Sequence, residues 1–142
     1  MSDHIPTLDA AYVEARWIEA GTALMALDVR GTRPAGYVSG WPDIVREAVE
    51  AYGYGQEQVR PQPPSARQIT LMDEVFAWIN FIPRDRYVLR RIVLVRALCN
   101  PLTGRQLYSW RRIGRLIGAD HRAVQQWHGQ GIDLIVRHLA SS

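Results

Sequence analysis

Apolar residues recur at three- and four-residue steps through much of the chain. No stretch alternates convincingly with a period of two, so the pattern predicts helices. The first stripe is Val13, Trp17, Ala20, Leu24 and Leu27 within AAYVEARWIEAGTALMALD, which opens after Asp9, a residue type that caps helices. Gly21 costs this helix ~1 kcal/mol relative to alanine, so the stripe needs a partner surface to cover it. VRGTRPAGYVSG, residues 29–40, is rich in glycine, proline and serine and reads as a loop. Trp41-Pro42-Asp43 then opens a second helix, PDIVREAVEAY, with Ile44, Val45, Ala48, Val49 and Tyr52 as its apolar positions and Gly53 as its stop. Residues 53–64, GYGQEQVRPQPP, form the clearest linker in the chain.

Beyond the linker, Ser65 can cap the helix ARQITLMDEVFAWINF, which carries Ile69, Met72, Val75, Phe76 and Ile79 along one side. Ile82-Pro83 breaks that helix and starts the next, RDRYVLRRIVLVRALC. This segment is apolar almost all round, which marks it as the central core helix. NPLTGRQLY, residues 100–108, reads as a turn followed by an irregular connector. The fold class is therefore all-α, a helical bundle, and the pattern contains no internal repeat.

The stretch SWRRIGRLIGADHRAVQQWHG, residues 109–129, holds two apolar-patterned segments joined across Gly118. A helix-turn-helix needs small residues where two backbones approach and apolar residues at the crossing. Ser109 can cap the first helix, while Ile113 and Ile117 point inward and Gly114 removes the side chain that would hold the second helix away. Gly118 supplies a left-handed turn residue, Ala119 fits beneath the turn, and Asp120 caps the second helix. Val124 and Trp127 return to the shared core. His121, Arg122, Gln125 and Gln126 then face outward on the first turns of the second helix, the part that enters a major groove in this motif. Glutamine can bond adenine and arginine guanine bidentately, each pair contributing ~1–3 kcal/mol of discrimination. Trp110, Arg111, Arg112 and Arg115, on the first helix, are placed to contact phosphates. Gly129 and Gly131 cost ~2 kcal/mol if the last helix runs on to Leu139, and otherwise end the recognition helix.

Charge sharpens this picture. Every one of the seventeen basic residues is arginine. Residues 1–64 hold five Arg against nine acids, net −4, whereas residues 65–142 hold twelve against five, net +7. The asymmetry divides the chain into an acidic N-terminal helical region, 1–64, and a basic helix-turn-helix domain, 65–142, and it points to a polyanion partner for the second. Cys99 is the only cysteine, so no intrachain disulfide forms, and its sulfur is expected to be a small buried hydrophobe. The four histidines are scattered, and no metal-ligand spacing appears. No run approaches the ~18 apolar residues of a membrane span and the N-terminus lacks the order of a secretory signal, so the chain is expected to be cytoplasmic. No catalytic constellation or cofactor-binding motif stands out, and an enzyme is the least favoured class.

IPRDRYVLRRIVLVRAL followed by SWRRIGRLIGADHRAVQQWHGQGIDLI, within residues 82–139, resembles the DNA-binding fourth region of bacterial sigma factors. It departs from that region in the longer connector NPLTGRQLY and in lacking a strongly basic tail. The resemblance implies backbone contacts from Ser109, Trp110 and Arg111, and base contacts from Arg122, Gln125 and Gln126. Val13-Glu14-x-Arg16, GWPDIVR at 40–46, PPSA at 63–66 and MDEV at 72–75 also resemble a small uncharacterised helix-turn-helix family of alphaproteobacteria and their phages.

The expectation is a sequence-specific DNA-binding regulator of phage or prophage type. It would act on double-stranded DNA as a homodimer, because one recognition helix reads only a few base pairs. Residues 1–64 would supply the dimer surface, or bind RNA polymerase or another protein, or simply pack on the C-terminal core. Two alternatives remain: a small-terminase-like packaging subunit, which requires a ring of many copies, and a sigma-factor or RNA-polymerase interaction module, which would bind DNA weakly and without sequence preference.

Overall fold

The computed structural model describes residues 8–29 and 63–141. Apart from Val29, which ends the first helix, the expected loop at 29–40, the helix at 42–52 and nearly all of the linker at 53–64 lie outside the described residues. Those that are described form helices α1 (Ala10–Val29), α2 (Ala66–Ala77), α3 (Tyr87–Ala97), α4 (Trp110–Ile117) and α5 (His121–Ser141), with short 3-10 turns at Trp78–Phe81 and Arg84–Arg86. The fold is all-α. No helix among the described residues is long and apolar enough to cross a membrane.

Helix α1 starts where its sequence provides a cap: the Asp9 carboxylate accepts from the Tyr12 backbone N–H at 3.0 Å. Its stripe is covered as the glycine cost requires. Val13, Trp17, Ala20, Leu24 and Leu27 are all buried, in one core with residues from α2, α3 and α5. The same core thus spans both sides of the 64/65 division drawn from charge. Gly21 permits this, because a methyl group at that position would lie 2.0 Å from the Ala97 carbonyl oxygen at the end of α3. The Trp17 indole packs obliquely on Phe76, centroids 5.7 Å apart, and ties α1 to α2.

Helix α2 begins in a reciprocal capping box. The Ser65 hydroxyl accepts from the Gln68 N–H at 3.1 Å, and the Gln68 side chain accepts from the Ser65 N–H at 2.8 Å. Its α-helical part ends at Ala77, short of the expected Phe81, and the remaining turn tightens into 3-10 geometry. Pro83 explains the change, since its ring forces Ile82 into an extended conformation, φ −93° and ψ 124°. The Ile82 carbonyl accepts from Arg90 Nε at 2.8 Å. Helix α3 buries Leu89, Ile92, Val93, Leu94, Val95 and Ala97, in keeping with its central place.

The connector is more ordered than a turn with an irregular tail. Cys99 and Gln106 form an antiparallel bridge, and the Leu107 N–H donates to the Leu98 carbonyl at 2.9 Å. Asn100 closes the loop by accepting from the backbone N–H groups of Leu102 and Thr103, and Gly104 takes φ +76°. Gln106 Nε2 donates to the Arg96 carbonyl, and Arg96 donates to that of Tyr108 at 2.9 Å. These bonds set where α4 begins.

Helix α5 is continuous through Gly129 and Gly131 to Ser141. At Gly131 a methyl group would stand 2.8 Å from Val93 Cγ2, so this glycine lets α5 lie close against α3 and does not end the helix. The far end of α5 is held by a parallel stack of His138 on Phe81, 4.9 Å between centroids.

Candidate nucleic-acid interface

Helices α4 and α5 meet across three residues. Ser109 caps α4 by accepting from the Arg112 N–H at 3.1 Å. At the other end Gly118 adopts the left-handed conformation, φ 74° and ψ 38°, and both its N–H and that of Ala119 donate to the Gly114 carbonyl. Gly114 is buried beneath the turn, where a methyl group would lie 2.5 Å from the Ala119 carbonyl oxygen. Asp120 caps α5, its Oδ1 accepting from the Arg122 N–H at 2.8 Å. Each small or capping residue therefore has a local reason to be where it is.

The inward positions are Ile113 and Val124, both buried, with Ile117, Ala119 and Trp127 partly buried against the same core. With Val124 fully enclosed, the helical period turns Arg122, Gln125 and Gln126 outward, and all three are exposed. His121 is half-buried, its Nδ1 3.4 Å from Asp120 Oδ1, which directs the ring toward its own cap.

On α4, Arg111, Arg112 and Arg115 are exposed. The Arg112 guanidinium lies over the Tyr108 ring at 4.5 Å, which restrains its stem and leaves the charge at the surface. Among the described residues Arg111, Arg115 and Arg122 form no ion pair. A shallow open depression separates Arg111 and Arg115 from Asp120 and His121, with Gly114, Gly118 and Ala119 as its floor. The surface is cationic on one side of the turn and amide-bearing on the other.

Trp110 is placed differently from these arginines. Its half-buried ring has the Arg96 guanidinium 3.9 Å from one face and the His128 ring edge-on at 5.1 Å. The indole thus joins α4 to α3 and α5, and fixes the angle between the pair. His128 is 8 % exposed, and its Nδ1 lies 3.8 Å from a Glu14 carboxylate oxygen. Burial, reinforced by the Arg96 charge, pushes His128 down to about 4, so the imidazole is neutral near pH 7. The half-exposed Glu14 carboxylate is screened by water and does not offset that burial.

Of the clamp formed by Arg96, Trp110 and His128, only Trp110 is singled out from sequence, and for a phosphate contact. One signal could have found part of it: the inward stripe Val124, His128, Ile132 and Ile135 passes through position 128. Arg96 carries no such signal, because its partner Trp110 lies across the connector. Among the described residues no group of three or more His, Cys, Asp or Glu side chains could hold a metal ion.

Residues 28–135 match a family described as a domain of unknown function, DUF6362, a span of well over half the chain that runs from the end of α1 into α5. No curated protein and no solved structure matches the chain.

Proposed function

For this chain, which belongs to the DUF6362 family, we propose sequence-specific binding of double-stranded DNA by α4 and α5 acting as a helix-turn-helix, in the service of transcriptional regulation. The observation that carries the reading is the outward set Arg122, Gln125 and Gln126 on the first two turns of α5, held there by the fully buried Val124. In this role α5 lies in the major groove with those three side chains against base edges. Arg111, Arg112 and Arg115 neutralise phosphates on the flanking strand and set the register. His121, turned toward Asp120, contributes less to base recognition than its three neighbours. Trp110 contributes by holding the two helices at a fixed angle. The sigma-factor resemblance of residues 82–139 supports the same reading.

The test is selection of bound duplexes from a random pool, followed by affinity measurements at several salt concentrations. The proposal expects one enriched motif and a linear fall of log affinity with log salt. An enriched palindrome accompanied by dimer-sized scattering supports a homodimer. Equal affinity for selected and random duplexes removes the reading, and a ring-sized assembly favours DNA packaging over regulation.

A further inference from the structure

Six glycines lie among the described residues, and five have a reason inside the fold. Gly104 and Gly118 have φ of +76° and +74°, values that side-chain-bearing residues rarely adopt. Gly21, Gly114 and Gly131 sit where a methyl group would come within 2.0, 2.5 and 2.8 Å of Ala97, Ala119 and Val93. Gly129 has neither reason. Its φ is not positive, it lies within α5, and a methyl group there would meet no atom of the described residues within 4 Å. Folding alone favours alanine at such a position, because glycine in a helix interior loses more backbone entropy. Nothing among the described residues explains its use.

Its location points to what does. Gly129 is exposed and follows Gln125 by four residues and Arg122 by seven, so it continues the same outward face. It stands eight residues beyond His121, about 12 Å along the helix axis. One turn further, Asp133 brings a carboxylate to this face, paired with Arg137 at 2.8 Å. With the carboxylate neutralised by Arg137, this turn offers a phosphate no net positive charge.

We infer that Gly129 is where the sugar–phosphate backbone of a DNA duplex passes against α5, the contact footprint ending between Gln130 and Asp133. This inference rests on the DNA-binding reading above. The bare helix lets the groove wall approach, and a side chain at 129 lifts α5 out of the groove.

The test compares the full-length protein with its Gly129→Ala and Gly129→Leu variants. The readouts are thermal unfolding, anisotropy of a labelled duplex taken from the random-pool selection, and light scattering without DNA. Gly129→Ala should melt at a higher temperature yet bind that duplex about tenfold more weakly, the equivalent of one strained contact. Gly129→Leu should bind more weakly still, while Ala140→Leu, added bulk about three turns further on, should bind as the unaltered chain does. If Gly129→Ala binds as tightly as the unaltered chain, the inference fails and the DNA reading stands. If Gly129→Leu shifts the assembly state of the DNA-free protein, the glycine serves contact with a second copy and the inference also fails. If the unaltered chain prefers no duplex, both fall together.

Discussion

His128 is the one polar side chain buried among the described residues, and its proton is linked to folding. Held down at about 4 in the fold, it returns to the ordinary value near 6.5 when the chain unfolds. The unfolded state therefore takes up the proton first as pH falls. Its contribution is fully present above about pH 6.5 and is lost toward pH 4, by ~3 kcal/mol at the lower limit. His128→Phe keeps an aromatic edge against Trp110 and removes the proton. Urea midpoints measured at about pH 7 and about pH 4.5 should differ less in the variant than in the unaltered chain, and equal differences would assign the pH dependence to other groups. On the interface, Arg122→Ala and Gln126→Ala should relax preference among duplexes by ~1–3 kcal/mol at the positions each contacts. Arg111→Ala should weaken all duplexes about equally and lower the salt slope by about one phosphate. Equal loss of preference in both classes would reverse the orientation proposed for α5. At this scale the sequence was a good guide wherever a residue answers to its immediate neighbours. Ser109, Gly118 and Asp120 are caps or turn formers whatever lies beyond them, and Cys99 is buried, its thiol pushed up by burial. Trp110 shows the reverse, because the Arg96 and His128 that engage its ring come from two other helices and leave no mark near it in the chain.

Between elements the deciding quantity is how near two backbones can come. Gly118 and Gly114 both belong to the turn between α4 and α5, but they act by different means. Gly118 has open space around it, so Gly118→Ala suffers only the left-handed backbone penalty of ~1–2 kcal/mol and leaves the helix angle as it was. Gly114→Ala drives a methyl group against the Ala119 carbonyl and must open the turn, with a cost of ~1–3 kcal/mol and a displaced α5. At temperatures where both variants remain folded, Gly118→Ala should keep the selected duplex preference and Gly114→Ala should lose it. Anisotropy titrations beside unfolding curves read both quantities, and matched losses of binding would mean that the turn does not set the reading face. This pair was legible because its signals lie within a dozen residues. The path of α5 through Gly131 was not, because the reason for that glycine is Val93, on another helix. The connector escaped although Gln106 pairs back to Cys99 only seven residues away, because a single bridge leaves no period-two alternation to read.

For the molecule as a whole, charge and packing divide the chain differently. The sequence splits by charge at 64/65, yet α1 closes the core built by α2, α3 and α5, with Trp17 only 2 % exposed at its centre. Hydrophobic burial does not follow net charge, so a boundary drawn from charge describes the surface and not the unit that unfolds. A single shared core predicts a single cooperative transition. Trp17→Ala removes a buried indole from the junction of α1 and α2 and should lower stability by ~3–5 kcal/mol. Trp17→Phe should cost less, since it keeps an aromatic ring against Phe76 and removes an indole N–H that has no acceptor among the described residues. The informative measurement is whether that loss reaches α4 and α5, which do not carry the substituted residue. Helical circular dichroism and indole fluorescence should lose signal at the same urea concentration in the Trp17→Ala variant, shifted together from the unaltered chain. Two separated transitions, with the later one unmoved, would make α1 an accessory to a core that folds without it. The charge boundary would then also be the folding boundary.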